Sequence, residues 1–186
     1  SFKSVLGDDA KIYSDKSDAV KDTTTTLTEQ LNNLWNRDMR GPLQASVLDK
    51  FAIAIGQKFD VFYGGLNGTQ KFPQIHLVEF LWRAYLRTGV NQFIQLSSKT
   101  LDSLLVAGLY DYVGGGFFRY ATDERWLVPH FEKITSENAL LLDFITLVFQ
   151  HNRNALCQNR MEETVGWLLR DMRVQDGFAA ILDADS

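Results

Sequence analysis

Cysteine is almost missing from this chain of 186 residues: Cys157 stands alone. It can neither close an internal disulfide nor form a two-thiol redox site, which fits a reducing, cytoplasmic setting and a small apolar role in a core. A basic excess is also missing. The 19 Lys and Arg against 23 Asp and Glu leave a net charge of -4, so no broad positive field draws in nucleic acid or an anionic membrane. Long apolar runs are lacking too. The most apolar stretch, from Ala139 to Phe149, is broken by Asp143 and is too short to span a bilayer. No signal peptide is read at the amino end. Apolar and polar residues nowhere alternate over a strand's length, so an extended sheet is not expected. No cofactor and no metal site are implied.

What is present is 45% hydrophobic, enough for one domain with a sizeable core. The chain opens on Ser1 and closes on Ser186 in what reads as an unfinished loop, so the expectation is a piece of something longer. Residues 1–16 read as a turn and linker around Gly7, Asp8 and Asp9. From Ser17, the residues Val20, Leu27, Leu31, Leu34 and Trp35 follow helical spacing. Thr23 to Thr26 weaken its first half, and Thr26 can instead cap a helix that begins there. Gly41 and Pro42 break it. A helix capped by Ser46 follows, with Leu48, Phe51, Ala52, Ile55 and Phe59 on one face.

A third helix runs from Ile75 to Arg87 and stops at Gly89. Asn91 can cap a fourth, carrying Phe93, Leu96, Leu101, Leu104 and Leu105. Thr135 or Ser136 can cap a fifth, so rich in leucine and phenylalanine that burial on all sides is expected. Asn159 can cap a last helix with Met161, Val165, Leu168, Leu169 and Met172, which Asp176 and Gly177 stop.

Three of these helices end alike, in FDVFYGGL around Gly65, YDYVGGGF around Gly115 and RVQDGF around Gly177. The interval suits two helices and their connections. Helical hairpins stacked in series make a solenoid or, on closure, a toroid, with the glycine-aromatic corners on one face. An irregular helical bundle is the competing architecture.

Chemistry concentrates between Gly108 and Ala139. Gly114 to Gly116 precede Phe117, Phe118 and Tyr120. Arg119, Asp123, Glu124, Arg125, His130, Glu132 and Lys133 then alternate with Trp126, Leu127, Val128 and Phe131. So many apolar groups mark a segment folded against the body, where its charges must pair or meet a ligand.

At KFP (71–73), GGGF (114–117), Arg119 and Tyr120, DERWLVPHFEK (123–133) and LDADS (182–186), the chain resembles the spermatogenesis-associated protein 20 family. The likeness extends from about Leu48 to Ser186. It implies an all-α fold, repeated helical hairpins forming part of an (α/α)6 toroid. That toroid is similar to N-acylglucosamine epimerases and six-hairpin glycosidases and follows a thioredoxin-like domain that this chain lacks. Residues 1–45 would then be a linker and helix, and 46–186 about half of the ring. The chain departs from the family at Phe118, where histidine is common. It also departs at PHFEKITSENA, where PHFEKMLYDNA is common, and at Leu66, Thr69 and Gln70 near KFP.

His130 and Glu132 are two apart and point the same way on extended chain. Acid and base work on a sugar needs such convergence. On this reading His130, Glu132 and Asp123 are catalytic, while Lys71, Arg119, Trp126, Asp183 and Asp185 contact the ligand. The competing reading makes Glu132 with Arg119 or Arg125 an ion-pair network that shapes the loop. Trp126, Phe117 and Phe131 can stack on a sugar ring or pack a core. Asp183 and Asp185 can bind a ligand or cap a following helix. His76 and His151 receive no role.

Two functions stay open: a carbohydrate-binding or carbohydrate-processing toroid, and a noncatalytic domain serving a thioredoxin-like partner. Exposed helix faces on an isolated half ring would favour self-association.

Overall fold

The computed structural model describes residues 2–15, 17–35 and 44–185. They fall into two compact units, Ser1–Leu43 and Gln44–Ser186. In the first unit, helices α1 (Phe2–Asp15) and α2 (Ser17–Trp35) bury none of their residues. Where a turn and linker was expected over residues 1–16, the described residues Phe2–Asp15 form a helix. Its apolar residues Phe2, Val5, Leu6, Ile12 and Tyr13 already have helical spacing, and Gly7 costs only about 1 kcal/mol relative to Ala. In α2 each hydroxyl from Thr23 to Thr26 donates to the carbonyl four residues earlier. These groups are satisfied inside the helix, so Thr26 does not begin it. The stop expected at Gly41 and Pro42 lies outside the described residues.

The second unit contains α3 (Ala45–Gly56), α4 (Ile75–Thr88), α5 (Asn91–Val106), α6 (Thr135–Asn152) and α7 (Ala155–Trp167). α4 packs on α6, whereas α3 packs on α5 and α5 on α7. Two layers result, and the chain alternates between them. Successive helices run antiparallel, so the long connections that leave α3 and α5 lie at one end of the layers. The short ones at Gly89 and Arg153 lie at the other, both in left-handed conformation. Ala52, Val78, Leu81, Leu104, Phe144 and Ile145 fill the space between the layers.

Several helix starts differ from expectation. α3 begins one residue before Ser46, whose hydroxyl meets the Gln44 side chain instead of capping. Asn154, not Asn159, caps α7, accepting from Leu156 N at 2.9 Å. Asn91 is the first residue of α5, after Val90 in the cap position. Thr135 opens α6, but its hydroxyl donates to Ala179 O at 2.7 Å. Nor is α6 buried all round: Leu141, Phe144, Ile145 and Val148 face the core, while Leu140 is 52% exposed. The last helix stops before Asp176 and Gly177, because α7 ends in a π-helical turn, Leu168–Met172.

Strands are two residues each: β1 (Tyr120–Ala121), β2 (Pro129–His130), β3 (Lys133–Ile134), β4 (Arg173–Val174), β5 (Gly177–Phe178) and β6 (Ile181–Leu182). β1 pairs with β2, β3 with β6 and β4 with β5, all antiparallel. These ribbons stitch corners together. Lys71 in the first corner exchanges both backbone hydrogen bonds with Ala121 in the second, each 2.9 Å.

The first two corners are built alike. Phe59 bridges Leu66 and Tyr110 bridges Phe117. Gly65 has φ +70 and Gly116 φ +80, and a Cβ would lie 2.5 Å from Trp126 at the first and 2.7 Å from Trp167 at the second. An aromatic ring thus rests directly on each glycine backbone, which no other residue permits. The third corner keeps the backbone pairing, Arg173 with Phe178, but not the packed glycine. Gly177 has open space around it, and Val174 stands where the others have an aspartate.

Gly65→Ala is expected to cost about 2–4 kcal/mol through left-handed strain and overpacking. Gly177→Ala should change stability by no more than about 0.5 kcal/mol. Urea unfolding of both variants measures the contrast.

Candidate functional site

At each glycine corner a lysine is pulled inside the fold. Lys71 is 2% exposed; its Nζ lies 2.5 Å from Asp60 Oδ2 and 2.7 Å from Gly64 O. Lys133 is 3% exposed; its Nζ lies 2.6 Å from Asp111 Oδ2 and 2.8 Å from Gly115 O. The other carboxylate oxygen ties down the turn. Asp60 Oδ1 accepts from Phe62 N and Tyr63 N, and Asp111 Oδ1 from Val113 N and Gly114 N. Burial pushes both carboxyls up, but the lysine and backbone donors outweigh it and hold them below their ordinary value. Each ammonium also faces aromatic rings, Lys71 over Trp126 at 5.6 Å and Lys133 over Trp167 at 5.0 Å. Lys71, expected at a ligand, is thus enclosed with its charge answered.

Between β1 and β2 the chain makes a detour organised by two more of the expected residues. Asp123 accepts from the N–H groups of Arg125, Leu127 and Val128. Burial raises its carboxyl, and these donors more than offset that, leaving it below the ordinary value. Trp126, at φ +63, is fully buried and donates from Nε1 to Tyr63 O at 2.8 Å. Asp123 and Trp126 therefore shape the detour and lock it onto the first corner; neither presents its functional atoms to a cavity.

A cleft of about 250 Å³ opens between the amino ends of α4 and α6. Phe72, Pro73, Gln74, Ile75 and His76 form one wall, Phe117 and Phe118 the second, and Glu137, Asn138, Leu140 and Leu141 the third. Asn138 fixes the second wall. Its Oδ1 accepts from Phe117 N at 2.7 Å, and its Nδ2 donates to Phe117 O and Ile134 O.

Arg119, His130 and Glu132 stand immediately behind this lining. Arg119 Nη1 donates to Glu132 Oε2 at 2.7 Å, and that contact raises the guanidinium above its ordinary value. His130 stacks on Tyr120 with centroids 4.9 Å apart, and Tyr120 stacks on Phe72 of the cleft wall at 4.6 Å. Phe131 packs edge-on against Phe118.

Four buried side-chain atoms among the described residues have no hydrogen-bond partner: Arg119 Nε, His130 Nδ1, Glu137 Oε2 and Thr164 Oγ1. Of these four residues Glu137 alone lines the cleft; His130 is joined to its wall through Tyr120 and Phe72, and Arg119 acts on the Glu137 carboxyl by its charge. Burial lifts the Glu137 carboxyl above its ordinary value; Glu132 adds to the rise and Arg119 opposes it. Glu137 was not anticipated from sequence. Its signal is a carboxylate in the first turn of an otherwise apolar helix, next to Asn138, in a stretch read as capping.

Asp183 and Asp185 follow β6, where Asp185 N donates to Asp183 Oδ1 at 3.3 Å. Neither lines the cleft. Among the described residues, no group of three or more His, Cys, Asp or Glu is placed to hold a metal ion, and no helix is long and apolar enough to cross a membrane.

No protein-family model matches the chain. Across 88% of its length it is 29% identical to human and 31% identical to mouse spermatogenesis-associated protein 20. It is also 29% identical, over 69% of its length, to an uncharacterised protein of Caenorhabditis elegans. The chain spans only 21% of the length of the mammalian relatives. Among solved structures, a sugar epimerase from a ruminal bacterium superposes with a TM-score of 0.62 at 14% identity, over 74% of this chain and 37% of the epimerase. Cellobiose 2-epimerase from Spirochaeta thermophila superposes with a TM-score of 0.58 at 15% identity, over 78% of this chain and 42% of that enzyme. At such identities the likeness establishes the fold: the hairpins of this chain are part of a helical toroid.

Lys133→Met should destabilise the protein by about 3–5 kcal/mol, because it leaves Asp111 ionised without its partner. Arg119→Met, which breaks a pair open to water, should leave the unfolding midpoint close to that of wild type. Folding lowers the Asp60 and Asp111 carboxyls, so their contribution is complete above the ordinary value of 3.8 and lost as pH falls through the lower folded values. Urea titrations between pH 7 and pH 2 should show that loss, reduced in Lys133→Met.

Proposed function

We propose that this chain, homologous over most of its length to spermatogenesis-associated protein 20, is a carbohydrate-binding or carbohydrate-processing toroid domain. Its site is the rim where Arg119, His130, Glu132 and Glu137 meet. The observation that carries this reading is an aromatic-walled cleft lined by Glu137, whose Oε2 is buried and unpartnered, with the unpartnered Arg119 Nε and His130 Nδ1 on the adjoining loop. Native interiors leave few such atoms, and functional sites are where they concentrate. A sugar suits the lining, since ring carbons pack on aromatic faces while hydroxyls both donate and accept. The sugar epimerases that share the fold support the same substrate class.

In this proposal His130 and Glu132 move protons and Arg119 holds the Glu132 carboxylate. Asp123, Lys71 and Trp126 act indirectly by fixing the walls, and Asp183 and Asp185 extend the rim beyond β6. Residues 46–186 supply about half of the ring, residues 1–45 are a linker and helix region, and a longer protein would bring the remainder. A second reading, an interaction domain serving a thioredoxin-like partner, draws on the exposed apolar side chains of α1 and α2, among them Phe2, Leu31 and Trp35.

A thermal-shift screen of mono- and disaccharides tests the first reading. At least one sugar should raise the melting temperature, and His130→Ala or Glu132→Ala should abolish that rise. If no sugar shifts the wild-type protein, the carbohydrate reading fails.

A further inference from the structure

Which sugars the cleft admits can be read from its charges. No lysine or arginine lines it, and the sole acidic group in the lining is Glu137, with Oε2 buried and unpartnered. The nearest cation, Arg119, is already engaged by Glu132 at 2.7 Å. A carboxylate or phosphate entering here would lose its hydration without gaining a counter-charge, and would meet Glu137. The amino end of α4 pulls the other way: it borders the cleft, no side chain caps it, and its first N–H groups lack intrahelical partners. The corresponding end of α6 is answered by Glu137 in its own first turn. An open N–H donor on one wall and a carboxyl on the other suit hydroxyl groups, which accept from the first and exchange a hydrogen bond with the second. The cleft volume of about 250 Å³ lies just under the range of drug-sized pockets, roughly 300–1,000 Å³, and suits a single ring.

We infer that the cleft takes one ring of an uncharged sugar, with Glu137 as its polar anchor and Phe72, Phe117 and Phe118 against the ring carbons, and that it excludes sugars bearing a carboxylate or phosphate. This inference rests on the carbohydrate reading above and narrows it. Glu137 faces Arg119 and Glu132 from the adjoining loop, and His76 shares the cleft from α4.

The test is ligand-observed NMR titration of the wild-type chain and of Glu137→Gln with four probes: glucose, N-acetylglucosamine, glucuronate and glucose 6-phosphate. Glutamine keeps the shape of the side chain, and the melting temperature of the variant should equal or exceed that of wild type, because burial disfavours the carboxylate. Wild type should bind a neutral probe at least tenfold more tightly than either anion. In Glu137→Gln that ratio should fall at least threefold. Anions binding as tightly as neutral sugars, or a ratio unchanged in the variant, would overturn the inference and leave the carbohydrate reading standing. Failure of all four probes, together with a failed sugar screen, would remove both.

Discussion

Two buried ammonium groups hold this fold's working end in shape. A lysine side chain enclosed by protein must find a carboxylate and a carbonyl or lose its charge. Lys71 and Lys133 find both in the turn they brace. Each brace converts a glycine-rich corner, otherwise an open loop, into a rigid connection between the two helical layers. The aspartate is indispensable to this arrangement. One oxygen meets the ammonium while the other collects backbone N–H groups, so the turn and the lysine fix each other.

The cleft follows from those braces. KFP is held by Lys71, which places Phe72 beside Tyr120 and His130. The second corner is held by Lys133, which places Phe117 and Phe118 over the start of α6. Asn138 then ties that corner to the helix bearing Glu137. Charges close to the lining are left incompletely satisfied, whereas those deeper in the corners are fully paired. Rigid corners surrounding a few frustrated polar atoms are the usual division between scaffold and site.

The helices of the second unit and the repeat were legible because both are written in local periodicity and glycine spacing. Gly89 as terminator of α4 was legible for the same reason. Cap positions were less so, since Ser46, Asn91, Thr135 and Asn159 are all plausible caps by residue type, and only tertiary contacts decide among them. The site was legible as a segment but not as a set of roles. Lys71, Asp123 and Trp126 stand out in the sequence, yet whether an ion or ring faces a ligand or a turn depends on partners distant in sequence, such as Asp60 and Tyr63. Glu137 escaped because its neighbourhood is assembled from three separate stretches. The third corner misled for the opposite reason: RVQDGF keeps the glycine but has Val174 where an aspartate would anchor a lysine.

The detour between β1 and β2 has a consequence for how the molecule comes apart. Its Trp126 fills the hollow over Gly65, so a piece of one hairpin completes the corner of the hairpin before it. Trp167 on α7 does the same for the second corner. The first two corners are therefore each plugged by an aromatic ring from the stretch that follows, and neither is finished until that stretch has folded. Coupling of this kind makes neighbouring units melt jointly rather than fray one at a time.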